Sequence, residues 1–513
     1  MTASPGVEGR TDPAEGAEAL EVSGDGGPAT RQRAWVGAAL IWAVVMAAQL
    51  LLVYVPEPAG IADNGDSTRT LCSIRFYMAQ PPADFERLND WVIADAYEVD
   101  DKTCTYDLPT SWWHRIFGVV DTLTGASETT PLKIGNVALV NMVLVATAMA
   151  AVGTVIAATR SARFWLVAGL ALIVLDVAFL GYARSWYTEP AGFVSMLAAV
   201  AAVMALARPT TKVSWAAVAL TVLATVGLTL AKVQGVMLAL PVVVVSLAAL
   251  LPFVKRVAGL VAIGAIVVAY IGSAVVVWSD QPEWMQNVNR YHSVLAGVAV
   301  HADYSTQALK DLGMNPGLAR YTGKGWWDPK AGREDPAFWE DYDQTSLANV
   351  GRYYVTHPKV GARAVGAGIS ASFEMRPGYL GSYDIGSAQE PREQACRWCG
   401  FSSLASDLRP VSAVVIGAMH VLAAAGLVRA LRKKREPKSV PVFQLAVVGV
   451  VSIAWYDLAV IPAVVGDGTY ELVKHTIFGS YAMGICLWAL VGQMMLRRRL
   501  KRRAAFDLGQ PTA

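Results

Sequence analysis

The chain has 513 residues, of which 54% are hydrophobic and 16% are charged, with a formal net charge of +2. A soluble globular protein carries about 25% charged residues, so this composition excludes an ordinary soluble domain and indicates a lipid environment. No strongly basic tract suited to nucleic acid is present, and no nucleic-acid partner is expected.

The chain begins with a polar segment and a long apolar run. Residues 1–33 are rich in Gly, Ala, Pro and Glu and are predicted to be disordered, because they cannot bury enough apolar surface to fold. The run at 34–55 is long enough to cross a bilayer and lies too far from the start to be a secretory signal. We therefore predict a retained first span.

Ten apolar runs of roughly 18 to 25 residues are predicted to be transmembrane helices. They lie at 34–55, 132–157, 164–183, 190–207, 213–231, 234–254, 257–278, 411–430, 440–464 and 476–496. The predicted fold is an all-α polytopic membrane protein.

Lys and Arg residues are concentrated in alternate connections between these runs. Those connections lie at 160–163, 208–212, 255–256, 432–435 and 497–503. Because positively charged connections remain in the cytoplasm, both termini are predicted to be cytoplasmic. The other connections are predicted to face outward.

This topology divides the chain into modules. A cytoplasmic tail (1–33) precedes an N-terminal membrane module (34–278) of about seven spans, with a long external loop at 56–131. An extracytoplasmic domain (279–410), predicted to be mixed and α-rich, is followed by a C-terminal module (411–496) of about three spans and a basic cytoplasmic tail (497–513). Within the domain, 360–373 is too charged to span and is predicted to lie at the membrane interface.

Four of the five cysteines lie in the external segments: Cys72, Cys104, Cys396 and Cys399. An oxidising exterior favours disulfides, and pairing 72 with 104 and 396 with 399 is the simplest of the three possible arrangements. The Cys-Arg-Trp-Cys spacing also fits redox or zinc chemistry, but no thioredoxin-like pattern surrounds it, so a structural bridge is favoured. Cys486 lies in the last span and is predicted to pack there.

The first external loop carries a candidate catalytic acid. Asp63 and Asp66 directly follow the first span, and Arg69 lies one helical turn later. Asp66 could simply cap a helix. Alternatively, it could act as a general base on a hydroxyl, beside a cation that takes a phosphate.

Three more external segments carry charged residues. Arg184 and Glu189 flank the end of the third span, although Glu189 could instead complement a helix dipole. Lys232 interrupts two apolar runs, where a lysine is costly unless it reaches water or an anion. Lys474 and His475 lie at the mouth of the tenth span. The four segments together bring carboxylates and cations to one leaflet, as chemistry on a lipid-phosphate sugar would require.

These residues resemble a known superfamily. The Asp66-Ser-Thr-Arg69 opening of a long first external loop, with the second external acid Glu189, resembles the GT-C membrane glycosyltransferases, which use polyprenyl-phosphate sugars. More narrowly, the chain resembles the WsfD-type glycan biosynthesis hexose transferases of bacteria. The matching stretches lie at 63–66, 187–189, 231–234, 289–293, 308–313, 325–327 and 474–475. The resemblance implies a hexosyltransferase of the bacterial cell membrane with an extracytoplasmic active site, a polyprenyl-phosphate sugar donor and a cell-envelope glycan or glycolipid acceptor.

The resemblance also implies site residues. Asp66 would be the base, with Asp63 as its alternative, and Glu189 would position the acceptor or assist the base. The donor phosphate would be held by Arg69, Lys232, Gln234, Lys474, His475 and Arg184. The acceptor would contact Tyr187, Tyr291, Trp326 and Trp327, although aromatic residues are also common in cores and at the lipid–water boundary. No cofactor is implied, and no ligand-spaced His/Asp cluster indicates a metal.

A transporter or flippase of a glycan or lipid-linked substrate is the main alternative. Asp176, Lys232 and Asp457 lie within or beside apolar runs, and intramembrane charges often mark ion pathways. The long external segments argue against this alternative, because a rocking carrier ordinarily needs less chain outside the membrane.

Overall fold

The computed structural model describes residues 28–64, 66, 71, 76–78, 92–93, 96–99, 112–113, 132–279, 281–390, 392–433 and 439–507. Within these ranges the protein is mostly helical, with a few strands of two to four residues. The predictions for Arg69, Cys72, Cys104 and residues 1–27 lie outside the described residues.

The N-terminal membrane module is built from long apolar helices. They are α1 (Pro28–Tyr54), α2 (Ile134–Val155), α3 (Arg160–Val174), α4 (Val177–Leu180), α5 (Glu189–Leu206), α6 (Trp215–Ala231), α7 (Gly235–Leu250) and α8 (Val257–Ser279). Short 3₁₀ turns follow α4 (Gly181–Arg184) and α7 (Leu251–Phe253). The prediction of disorder is wrong for residues 28–33, because α1 already includes them. Extending an existing helix by one residue costs far less than starting one.

The block between α8 and the C-terminal helices is α-rich, as predicted. It contains α9 (Glu283–Tyr291), α10 (Ala299–His301), α11 (Ser305–Asp311), α12 (Pro336–Glu340), α13 (Leu347–Thr356) and α14 (Pro358–Glu374). A π-helical segment (His292–Val298) joins α9 to α10, and 3₁₀ turns lie at Pro316–Tyr321, Gly332–Glu334 and Tyr342–Thr345. Helix α14 covers the stretch predicted to be interfacial and is not among the candidate spans.

The C-terminal module starts earlier than predicted. It contains α15 (Gly400–Leu408), a 3₁₀ turn (Arg409–Val411), α16 (Ser412–Lys433), α17 (Val440–Asp467), α18 (Leu472–His475) and α19 (Ile477–Asp507). Gly400–Arg432 counts as one candidate span, so a domain boundary at 410 is wrong. Helix α19 continues to Asp507 through most of the predicted basic tail.

The apolar runs identified in the sequence are helical. Eight helices in the described ranges are long and apolar enough to cross a membrane, or up to nine if a pair bent by 60° is one span. The bent pair, Arg160–Val174 with Val177–Arg184, matches the third predicted run, and the 17-residue α6 is a shorter apolar helix. The polytopic all-α membrane fold is therefore confirmed.

The bend between α3 and α4 is made by Asp176. This carboxylate accepts hydrogen bonds from the backbone N–H of Ala178 at 3.0 Å and from those of Phe401 and Ser402 at 2.9 Å each. It is completely buried, and it caps the N-termini of both α4 and α15. Asp176 therefore caps two helices, and this structural role accounts for its charge without an ion pathway.

Short strands tie the first loop to the block. Strands β1 (Phe76–Met78), β3 (Ala96–Val99) and β4 (Leu132–Lys133) form an antiparallel sheet in the order β1-β3-β4. Strand β2 (Val92–Ile93) pairs in parallel with β5 (Tyr383–Asp384), which belongs to the block. Cys396 and Cys399 form a disulfide, as predicted, and Cys486 is free and buried.

Candidate functional site

Four segments that are distant in the sequence meet at one end of the helical bundle. They are the start of the first loop, the link between α4 and α5, the hairpin between α6 and α7, and the turn between α17 and α19. Their polar residues form what we call the charged cluster: Asn64, Asp66, Tyr187, Glu189, Lys232, Glu471 and Lys474.

Lys474 lies at the centre of the charged cluster. Its Nζ forms an ion pair with Asp66 and lies 2.9 Å from Asn64 Oδ1 and 3.5 Å from Glu471 Oε2. The same atom lies 4.7 Å from the centroid of the Tyr187 ring, a cation–π distance. The side chain is 0% exposed, so the ammonium is enclosed by three oxygens and an aromatic face.

The Lys474 ammonium is charged at neutral pH. Burial by itself lowers the pKa of this lysine, but the carboxylates of Asp66, Glu471 and Glu189 outweigh that effect and raise the pKa above its usual value. A buried lysine without such partners would lose its proton far more readily. The carboxylates therefore keep the cation in place.

Tyr187 and Asn64 lock the first loop to the last turn. The Tyr187 hydroxyl lies 3.0 Å from Asn64 Oδ1 and accepts a hydrogen bond from the Asn64 backbone N–H at 3.1 Å. The Asn64 amide donates to Glu471. Burial, with smaller contributions from Asp63 and Asp66, raises the pKa of Tyr187, so its hydroxyl stays protonated.

A second ion pair, Glu189 with Lys232, lies in the same cluster. Lys232 Nζ is 3.1 Å from Glu189 Oε1, and Glu189 opens helix α5, where a helix N-terminus favours negative charge. In this pair the carboxylate is 2% exposed and the ammonium 23%. In the pair with Lys474, the Asp66 carboxylate is 26% exposed. The site thus contains one partly exposed acidic side chain and one partly exposed basic side chain, each held by a buried partner of opposite charge.

Two predicted phosphate ligands, Arg184 and Gln234, make contacts that join parts of the fold. Arg184 is almost fully buried, and its guanidinium binds both carboxylate oxygens of Asp384, at 2.5 and 2.7 Å. The bond joins the membrane module to strand β5. The side-chain amide of Gln234 donates to the Ala459 carbonyl, which joins α7 to α17. The assignment of both residues to the donor phosphate stays a prediction.

Lys474 and His475, two further predicted phosphate ligands, differ in how far they are enclosed. The full enclosure of Lys474 prevents direct contact with a donor phosphate. The His475 Nδ1 atom lies 3.5 Å from an Asp467 oxygen, with 17% of its side chain exposed. Its role as a phosphate ligand remains a prediction.

The predicted acceptor platforms separate into buried and accessible rings. Tyr187 and Tyr291 are buried, and the Tyr291 hydroxyl accepts the backbone N–H of Gly332 at 3.0 Å inside the block. The sugar-stacking prediction is wrong for both, because neither ring face is accessible. Trp327, in contrast, is 59% exposed. Trp326 is half-buried, and its backbone N–H donates to His292 Nε2 at 2.8 Å.

Sequence reasoning missed Glu471, Asn64 and Tyr379. Glu471 precedes Lys474 by three residues, a spacing that brings side chains together in a helical turn, and this was the available signal. Its φ of 47° is unusual for a residue with a side chain. Burial, followed by the Glu471 carboxylate, raises the pKa of Tyr379. Nothing in the sequence around Tyr379 indicates that this tyrosine lies near Glu471.

Across the part of the chain that the structure describes, no group of three or more His, Cys, Asp or Glu side chains is arranged to hold a metal ion. The charged cluster offers acid–base and anion-binding chemistry through the partly exposed side chains of Asp66 and Lys232.

Comparison with known proteins identifies the family. No curated protein and no solved structure matches the chain. The family model described as "YfdI N-terminal transmembrane domain" matches residues 29–508, and this family is GT-C-like and associated with glycosyltransferases. Because the match spans nearly the whole chain, from the first helix to the last, the protein belongs to the YfdI N-terminal transmembrane domain family.

Proposed function

We propose that this protein is a GT-C-type membrane glycosyltransferase that resembles the WsfD-type hexose transferases. It transfers a hexose-type sugar from a polyprenyl-phosphate donor to a cell-envelope glycan or glycolipid acceptor. The family match supports a membrane glycosyltransferase-like protein. The donor, the acceptor and the reaction are inferred from the charged cluster and from the sequence resemblance.

The observation that carries the proposal is the pair of outward-facing charges. Asp66 has a quarter of its side chain exposed while the enclosed Lys474 holds it. Lys232 is similarly exposed while the buried Glu189 holds it. A transferase of this kind needs a carboxylate to deprotonate the acceptor hydroxyl and a cation for the phosphate that leaves.

The proposed mechanism assigns one role to each group. Asp66 removes the proton of an acceptor hydroxyl, whose oxygen attacks the anomeric carbon of the donor sugar. The bond from that carbon to the phosphate oxygen breaks, and the lipid phosphate leaves against Lys232, with His475 and Arg69 as further predicted contacts. Glu189 orients Lys232, and Trp327 offers an accessible ring for the acceptor.

We place this chemistry on the extracytoplasmic face of a bacterial plasma membrane, with both termini cytoplasmic. The charged cluster lies where α1, α6 and α17 end and where α5 and α19 begin. The basic connections lie at the opposite ends of these helices. The positive-inside rule supports this orientation.

The test is sugar transfer in membranes supplied with labelled polyprenyl-phosphate hexoses. We expect Asp66→Asn to reduce transfer by about 10²–10⁴-fold, the usual effect of removing a general base. The matched control is Asp303→Asn, which alters an aspartate outside the charged cluster that pairs with Lys359 at 2.9 Å and Arg363 at 2.7 Å. Equal transfer by Asp66→Asn and wild type would exclude Asp66 as the base and leave Asp63 to be tested.

One observation favours the transporter alternative. His420 of α16 and Asp457 of α17 form a pair at 2.9 Å between Nε2 and Oδ2, and each side chain is 40% exposed. Ionisable groups within membrane helices often mark ion pathways. If no donor supports transfer, substrate uptake that Asp457→Asn abolishes would establish this second function in place of the first.

A further inference from the structure

The environment of Lys474 is that of a bound cation. Three oxygens surround its Nζ, from Asp66 in direct contact, from Asn64 at 2.9 Å and from Glu471 at 3.5 Å. Two of these are carboxylate oxygens and the third is an amide carbonyl oxygen. Hard divalent cations in proteins take this same ligand set.

The segment that carries Lys474 is held on several sides. Gly468 has φ +60°, and a Cβ there would lie 2.5 Å from backbone atoms of the π-helical segment. The Thr469 N–H donates to the Ala296 carbonyl at 2.9 Å, and the Tyr470 ring stacks on His292 with centroids 4.2 Å apart. The turn is therefore a preformed support for the ammonium.

The Lys474 ammonium offsets part of the negative charge that surrounds it. The carboxylates of Asp66, Glu471 and Glu189 all act on Lys474, and the second ammonium, Lys232, is bound to Glu189. Removing the Lys474 ammonium takes the positive charge away from between the carboxylates of Asp66 and Glu471. Like charges at such short range in a partly buried site are strongly unfavourable.

We propose that Lys474 is a built-in cation: its ammonium fills an oxygen-lined site formed by Asp66, Glu471 and Asn64, and that site takes a divalent metal ion when the lysine side chain is removed. In the intact protein Lys474 is a positioning residue, which fixes the Asp66 carboxylate without touching the substrate. The positioning role of Lys474 in catalysis rests on the proposed function, whereas the cation site itself does not. Because the ammonium already occupies the site, chelators are expected to leave wild-type sugar transfer unchanged.

The test is Mn²⁺ binding by purified full-length protein, followed by electron paramagnetic resonance and by thermal unfolding. Lys474→Ala is expected to bind Mn²⁺ saturably, with a Tm that rises as Mn²⁺ is added, because a ligand that binds only the folded state stabilises it. Wild type should show neither effect. The matched control is Lys359→Ala, which removes an exposed lysine paired with Asp303. A folded Lys474→Ala protein that binds no more Mn²⁺ than wild type would overturn the proposal.

A second pair of variants decides the matter if Lys474→Ala folds poorly. Lys474→Met removes the ammonium and keeps both carboxylates, whereas Asp66→Asn/Lys474→Met removes one negative charge together with the positive one. We expect the double variant to be more stable than Lys474→Met. A double variant as unstable as the single one would show that Lys474 does not balance this charge, and the proposal would fall.

Neither measurement requires sugar transfer, so the two proposals fail separately. Mn²⁺ binding by Lys474→Ala in a protein that transfers no sugar would leave the cation site standing without the enzyme. Transfer by wild type, with no Mn²⁺ binding by the variant, would leave the enzyme without the cation site. Loss of wild-type transfer on chelation, restored by Mn²⁺, would also contradict the built-in cation.

Discussion

The two partners of the Glu189–Lys232 pair are buried to different extents, and this difference predicts an asymmetric response to mutation. Lys232→Met would leave the Glu189 carboxylate, 2% exposed, without its ammonium. Breaking a buried pair in this way costs about 3–5 kcal/mol, and the N-terminus of α5 returns about 0.3–1 kcal/mol of it. We therefore expect a loss of about 2–5 kcal/mol.

The reverse substitution is expected to be mild. Glu189→Gln leaves an ammonium that is already 23% exposed and can turn further towards water, so the expected loss is about 0–1 kcal/mol, as for a surface pair. Thermal unfolding of the detergent-purified variants, monitored by tryptophan fluorescence, measures both effects. The double variant Glu189→Gln/Lys232→Met should recover most of the stability, because no buried charge is left unpaired.

Transfer kinetics of the same variants separate stability from function. The double variant should still show a raised KM for the polyprenyl-phosphate donor, because the outward-facing ammonium is gone. Lys359→Met is the control for removing a lysine, with an expected change of about 0–1 kcal/mol and no change in donor KM. Equal losses from Glu189→Gln and Lys232→Met, or a double variant no better than Lys232→Met, would refute the burial argument.

Three further predictions concern the block and its junction. Asp384→Asn is expected to lower Tm by removing the carboxylate that holds Arg184, while the donor KM stays at the wild-type value; a selective rise in KM would support Arg184 as a phosphate ligand. Burial lowers the pKa of His292 to about 4, so its neutral form contributes about 3 kcal/mol that is fully present above pH 6.5 and is lost as the pH falls towards 4. His292→Gln should therefore flatten the dependence of Tm on pH in this window, and an unchanged profile would contradict the shift. Trp327→Ala should raise the acceptor KM without changing Tm, and an unchanged acceptor KM would exclude this ring from the acceptor site.

The membrane helices could be predicted from the sequence because hydropathy is a local property. Each apolar run is itself the helix, so its position needs no partner to be identified. The break at Asp176 could not be predicted, because two of its three N–H donors belong to residues 225 and 226 positions away. An aspartate in an apolar run indicates either a cap or a functional charge, and only the tertiary contacts separate the two.

The candidate site shows the same division. Asp66, Glu189, Lys232 and Lys474 could each be selected because charge beside an apolar run is costly. The sequence does not predict which carboxylate pairs with which lysine. That pairing decides which side chain is partly exposed and which is enclosed. The burial of Tyr291 could not be predicted either, because the sequence does not show whether a tyrosine in an external domain lines a groove or fills its core.

The ion pair between Asp66 and Lys474 also sets an order of events during synthesis. The two residues are 408 positions apart, so at 5–20 residues per second the ribosome needs roughly 20–80 s to deliver the lysine after the aspartate. During that time the first loop lacks the contacts that Asn64 and Asp66 make with Glu471 and Lys474. A nascent chain released early would carry the carboxylates of the first loop and of α5 without the lysine that joins them to the last turn. Completion of the site thus coincides with insertion of the last membrane helix.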